Sequence, residues 1–127
     1  MTTIDDLQDM RELIQLYIEG SDGDATKLQR AFHSDARMVR RMGDEDGNSP
    51  IAEFIAWATE NPGLTGPNFQ AVIPSIDLTR DAGVVVLVEK DYFDCDFVDY
   101  FSVARIKGVW QIVNKIYQVT SEAPPSH

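Results

Sequence analysis

From Phe69 onward the chain exchanges a helical hydrophobic period for a period of two, and this one change restricts the fold more than any other feature of the sequence. Alternating apolar residues predict long strands at about 69–79, 84–93, 96–106 and 109–119. Arg80-Asp-Ala-Gly83 separates the first pair and Lys107-Gly108 the last pair, as expected of successive hairpins. A meander of this length needs something to cover one face of its sheet, and the segment before Phe69 supplies it.

Leu7, Met10, Leu13, Ile14 and Tyr17 recur at helical spacing and predict a helix over about residues 4–20, with Thr3 as its cap. Asp5, Asp6 and Asp9 put negative charge at the positive end of that helix. Gly20-Ser-Asp-Gly-Asp24 breaks the chain, and Asp24 caps a short helix carrying Ala25, Leu28, Ala31 and Phe32 on one face. A strand is expected at about 36–42, and Gly43-Asp-Glu-Asp-Gly-Asn-Ser49 reads as a turn. Ser49-Pro50 predicts a third helix start, with a capping hydroxyl and then proline at the first helical position. Ile51, Phe54, Ile55 and Ala58 form its apolar stripe, and Asn61-Pro62-Gly63 ends it.

Three helices followed by a meander define an α+β domain, expected over residues 1–120 with a loose tail at 121–127. A two-residue turn at Lys107-Gly108 pairs Arg105 with Trp110, Val103 with Ile112, Phe101 with Asn114 and Asp99 with Ile116. Those eight residues then share the inner face. Val98, Tyr100, Val113, Lys115 and Tyr117 fall on the outer one, which is too apolar to sit in water alone and predicts a homodimer.

Charge narrows the function classes. Eleven Lys and Arg against 21 Asp and Glu leave a net charge of −10, the wrong sign for nucleic acid or an anionic membrane surface. A lone Cys95 cannot form an internal disulfide, and with only His33 and His127 there is no Cys/His metal cluster. Asp44, Asp46, Gly47 and Glu53 match part of a calcium loop, but Met42 would stand where the first oxygen ligand belongs. No cofactor motif is present, and the free thiol and acidic N-terminus without a signal-peptide pattern give a cytoplasmic expectation.

The element order, with Phe32-His-Ser-Asp-Ala36 and the segment from Phe97 to Tyr117, resembles the nuclear transport factor 2-like superfamily and its branch labelled putative lumazine-binding. Polyketide cyclases of the SnoaL type are similar at a greater distance. The resemblance implies a cone-shaped domain with helices packed on a curved, mainly antiparallel sheet, a pocket between them, and dimers through the outer sheet face. Ketosteroid isomerases of the same superfamily use a first-helix tyrosine and a late-strand carboxylic acid as an oxyanion hole. Gln15-Leu-Tyr17 resembles the first and Val98-Asp99-Tyr-Phe101 the second. The position of the isomerase base is Arg40 here, and a guanidinium cannot accept a proton.

Asp99 and Tyr17 are therefore the catalytic candidates. Asp99 reads as a pocket carboxyl or as a solvated strand-end acid, and Tyr17 as a pocket donor or as a core aromatic. Asn114, Trp57, Met38, Arg40, His33, Phe101 and Trp110 are the candidates for ligand contact. Each also has a structural reading: Asn114 as the partner of a nearby polar group, Trp57 as core or dimer packing, Arg40 as the partner of a carboxylate, and His33 beside the carbonyl end of the second helix. Glu89 alternates with Leu87 and Asp91, and its face is undetermined. The leading expectation is a domain binding a small hydrophobic or aromatic ligand, with acid/base chemistry of dehydratase, cyclase or isomerase type if it is an enzyme. The alternative is a homodimeric interaction module whose interior is filled by its own side chains. A cavity of several hundred Å3 separates the two.

Overall fold

The computed structural model describes residues 3–42 and 45–122. Three helices, α1 (Ile4–Ser21), α2 (Ala25–Ala31) and α3 (Ile51–Glu60), lie against a sheet of six strands. The strands are β1 (Phe32–Met42), β2 (Glu45–Pro50), β3 (Thr65–Thr79), β4 (Ala82–Tyr92), β5 (Cys95–Ile106) and β6 (Val109–Glu122). Their order is β2-β1-β6-β5-β4-β3, with only β1 and β6 parallel. Among the described residues no helix is long and apolar enough to cross a membrane.

Local chemistry explains the helix ends. Thr3 and Asp6 form a reciprocal capping box at α1, and the Asp24 carboxylate accepts from the Lys27 N–H at α2. At α3 the expectation shifts by one residue. Pro50, not Ser49, is the cap, and no side-chain hydrogen bond closes that end. The helices bury Met10, Leu13, Ile14 and Tyr17 from α1 and Ile51, Phe54 and Ala58 from α3, the i, i+3, i+4 stripes of amphipathic helices.

Three corrections concern the strands. β1 begins at Phe32 rather than 36, directly from α2. The acidic stretch read as a turn is largely strand: Glu45–Pro50 pairs antiparallel with β1, since backbone pairing at a sheet edge tolerates polar side chains. Gly43 and Asp44, which carry the tip of that turn and the calcium-loop match, lie outside the described residues, as do 123–127 of the expected tail. β6 itself runs on to Glu122.

The third correction decides the site. The Lys107-Gly108 turn has two residues, both with positive φ, and pairs Arg105 with Trp110 and Val103 with Ile112 as expected. A bulge then intervenes: Ser102 pairs with Asn114, Phe101 with Lys115 and Asp99 with Tyr117. One extra residue on β6 inverts every side chain beyond it. Lys115 and Tyr117 turn toward the helices, while Asn114 and Ile116 turn to the outer face. Asp99, Phe101 and Val103, on the unbulged strand, remain on the inner face and are buried.

Candidate functional site

A cavity of about 390 Å3 opens between α1, α3 and the inner face of the sheet. Tyr17 descends from α1, Phe54 and Trp57 from α3, and Met38 and Arg40 reach in from β1. Glu89 and Tyr92 come from β4, Cys95, Phe97 and Asp99 from β5, and Lys115 and Tyr117 from β6. The upper walls are apolar and the floor is ionisable. Glu89, Asp99 and Lys115 are 1%, 1% and 3% exposed, an expensive concentration of charge in a protein interior.

The floor is arranged by sheet register. Asp99 faces Leu87 across β4 and Tyr117 across β6, whereas Glu89 faces Phe97 and Lys115 faces Phe101. Glu89 and Lys115 are thus diagonal neighbours of Asp99 on one face, close enough for long side chains to interact. Lys115 Nζ donates to the Tyr17 hydroxyl at 2.7 Å. The same nitrogen lies 4.4 Å from the Phe54 ring centroid, 4.6 Å from that of Tyr17 and 5.3 Å from that of Tyr117. Among the described residues it has no carboxylate within ion-pair distance.

Among the described residues both Glu89 oxygens and Asp99 Oδ2 lack a donor, and the buried Tyr92 hydroxyl lacks a partner. Two carboxylates cannot hydrogen-bond each other unless one carries a proton. Glu89 is the group that holds it. Burial first, then the charge of the neighbouring Asp99, raise Glu89 well above the ordinary carboxylate range against the opposing Lys115 charge. Burial lowers Lys115 from the usual lysine range, with the two acids opposing. The Tyr17 hydroxyl is raised by burial and then by Asp99 and Glu89, and so stays a neutral phenol.

The mouth is aromatic. Trp57, 37% exposed, meets Phe93 edge-on at 5.2 Å between centroids. Phe93 and Asp94 make the β4–β5 turn with φ of 50° and 62°. A bulky side chain is strained there, where asparagine or glycine would be at ease. Burial raises the Tyr117 phenol, and the nearby Arg40 guanidinium opposes that rise. A side chain on Gly47 of β2 would strike the Arg40 stem at 2.6–3.0 Å, so this glycine makes room for the guanidinium at the rim.

Of the nine residues singled out from sequence, the cavity collects Asp99, Tyr17, Met38, Arg40 and Trp57. Phe101 lies in the core, fully buried and edge-on to Tyr17 at 5.1 Å. The other three lie elsewhere. Asn114 is on the opposite face because of the bulge. Trp110 sits at the far end of the sheet under the Arg105 guanidinium, 5.1 Å from its ring, beside a surface groove along α1. His33 lines a shallower groove of about 800 Å3 between α2 and α3, where its Nδ1 accepts from the Asp35 N–H. That groove is larger but collects no buried ionisable group, so the candidate site is the smaller cavity. The cavity also holds Lys115, which the expected register put on the outer face, Glu89, whose face was undetermined, and Tyr92, which was not singled out. A lysine on a strand apolar at both parities carries no signal for its face unless the bulge is known.

Among the described residues no group of three or more His, Cys, Asp or Glu is placed to hold a metal. The floor instead offers a proton donor, a proton acceptor, an amine and a phenol beneath an apolar chamber, the parts needed to bind and polarise a carbonyl oxygen.

Comparison with known proteins agrees with this architecture. A protein of unknown function from Methylobacillus flagellatus, described as nuclear transport factor 2-like, superposes with a TM-score of 0.84 at 26% identity, over 94% of this chain and 95% of that one. A ketosteroid isomerase-like protein from Erwinia carotovora atroseptica shares the fold, with a TM-score of 0.66 at 13% identity over 94% of this chain and 99% of that one. The aldolase FrzH of a Cladobotryum species is 25% identical over 103 residues, 80% of this chain and 81% of that protein. Residues 5–118 match the family described as putative lumazine-binding. The chain belongs to that family, within the nuclear transport factor 2-like superfamily.

Proposed function

We propose that the cavity binds a small, largely apolar or aromatic molecule bearing a carbonyl group, and that its floor performs acid/base chemistry on that group. The observation that carries this reading is the Glu89–Asp99 pair, buried, short of donors and open to the cavity. A carboxyl that keeps its proton near neutrality can donate to a carbonyl oxygen while its neighbour removes a proton from the adjacent carbon. Tyr17 supplies a second donor. The likeness to an aldolase and to an isomerase-like fold supports enolisation chemistry, of which isomerisation, cyclisation, dehydration and aldol addition are all variants. Lumazine recognition has no specific support in the lining residues. A bicyclic ketone such as 2-tetralone fits a chamber of this size.

The test is exchange of the α-protons of 2-tetralone in deuterated buffer, followed by NMR. The protein should accelerate exchange over buffer, and Asp99→Asn should reduce that acceleration by tenfold or more. Exchange at the buffer rate, or acceleration unchanged in Asp99→Asn, would remove the pair from the chemistry.

We further propose a homodimer through the outer sheet face. Val72, Val84, Val88, Tyr100 and Ile116 are all exposed there, a continuous apolar surface across β3 to β6. Of the expected set it keeps Tyr100; beyond the bulge Ile116 stands outside where Lys115 and Tyr117 were expected, and Val72, Val84 and Val88 of β3 and β4 extend the face.

A further inference from the structure

We propose that Lys115 is a covalent nucleophile, whose Nζ joins the carbonyl carbon of a cavity-bound aldehyde or ketone as an iminium. This rests on the reading of the cavity as a carbonyl site and adds to it the bond that forms. The bulge turns Lys115 inward, at the bottom of an open chamber. Its amine is held by one neutral partner, the Tyr17 hydroxyl at 2.7 Å. Among the described residues it forms no ion pair, although two carboxyl groups share its floor. A lysine kept only as a counter-ion would be expected in direct contact with one of them. This one is aimed at the space above.

The proton inventory allows the amine to be neutral. With one proton on the acid pair and Lys115 charged, the floor is electrically neutral. Moving the lysine proton onto the second carboxyl leaves it neutral still, now with a free amine and no buried charge. The step then balances within the cavity. The nitrogen lone pair adds to the carbonyl carbon and the π pair moves to oxygen, which takes up one proton originating on nitrogen. A carboxyl gives that oxygen a second proton, the C–O bond breaks and water leaves. The iminium nitrogen keeps its remaining hydrogen, and the carboxylate just formed can take the α-proton to give a neutral enamine. Water reverses the sequence and frees Lys115.

The chain provides its own controls, since Lys27, Lys90 and Lys107 are the other three lysines. Lys27 is paired with Glu19, which raises its pKa, and Lys90 and Lys107 are exposed. The experiment treats the intact protein at neutral pH with 2-tetralone and sodium cyanoborohydride, which delivers hydride to an iminium carbon. Peptide mass mapping then locates the secondary amine. In parallel, amide NMR shifts report non-covalent binding of 2-tetralone without the reductant. The expected result is one adduct per chain, on Lys115, formed at least tenfold faster than on Lys90 or Lys107 and absent from Lys115→Arg. Shifts at the cavity with no preference for Lys115 would overturn the covalent step and leave the binding reading intact. Absence of both would overturn both. If Lys115→Arg does not fold, the site preference within the wild-type protein decides alone.

Discussion

Replacing Glu89 with glutamine tests the proton placement on which the site depends, through stability rather than turnover. The unfolded chain titrates this glutamate near 4.5, whereas the folded protein holds the proton to a higher pH. Its contribution to stability is therefore fully present below pH 4.5 and is lost as pH rises through the folded pKa. In that window unfolding releases a proton, so stability falls with pH by up to about 1.4 kcal/mol per unit. Glutamine has nearly the same shape, cannot ionise, and can donate its amide to Asp99. Glu89→Gln should therefore match the wild type near pH 4.5 and exceed it increasingly as pH rises, by up to about 1.4 kcal/mol per unit, until the folded pKa is passed. Urea denaturation at half-unit steps of pH measures this directly. Asp99 and Lys115 interact with Glu89, so the difference between the curves reports the proton that the three groups hold together. Parallel curves would refute the reasoning, because they would mean that the folded protein holds no extra proton at this site.

Tyr17→Phe deletes the acceptor at 2.7 Å from Lys115 Nζ and should destabilise the protein by about 1–3 kcal/mol, as read by the same denaturation assay. Phe93→Asn relieves a left-handed aromatic at the cavity mouth and should raise stability by about 1 kcal/mol while weakening 2-tetralone binding, measurable by thermal melts and titration. Ile116→Glu places a charge in the exposed apolar face and should halve the mass seen by light scattering, with the helical circular dichroism unchanged.

Most of the fold was legible because the periodicities were long and consistent. The α1 stripe, the Thr3 and Asp24 caps and the Lys107-Gly108 turn each rest on interactions within a few residues, and each stands in the structure. β2 was illegible because Glu45–Pro50 holds its place by backbone pairing with β1 rather than by an apolar pattern. Within the site, Asp99 could be placed because it precedes the β6 bulge along an unbroken alternation. Lys115 and Asn114 could not, since a single extra residue exchanges their faces and both parities of β6 are apolar enough to accept either arrangement. Glu89 was ambiguous for the related reason that Val84, Val86 and Val88 are as apolar as Val85 and Leu87, so β4 has no obvious buried side.

Which cavity takes a ligand is the central question, and amide NMR of the isotopically labelled protein titrated with 2-tetralone answers it directly. The account predicts saturable shifts at Tyr17, Trp57, Phe97, Asp99 and Lys115, with Gln29, His33 and Gln111 unmoved. Shifts confined to Gln29, His33 and Gln111 would place binding in the groove between α2 and α3 and contradict it.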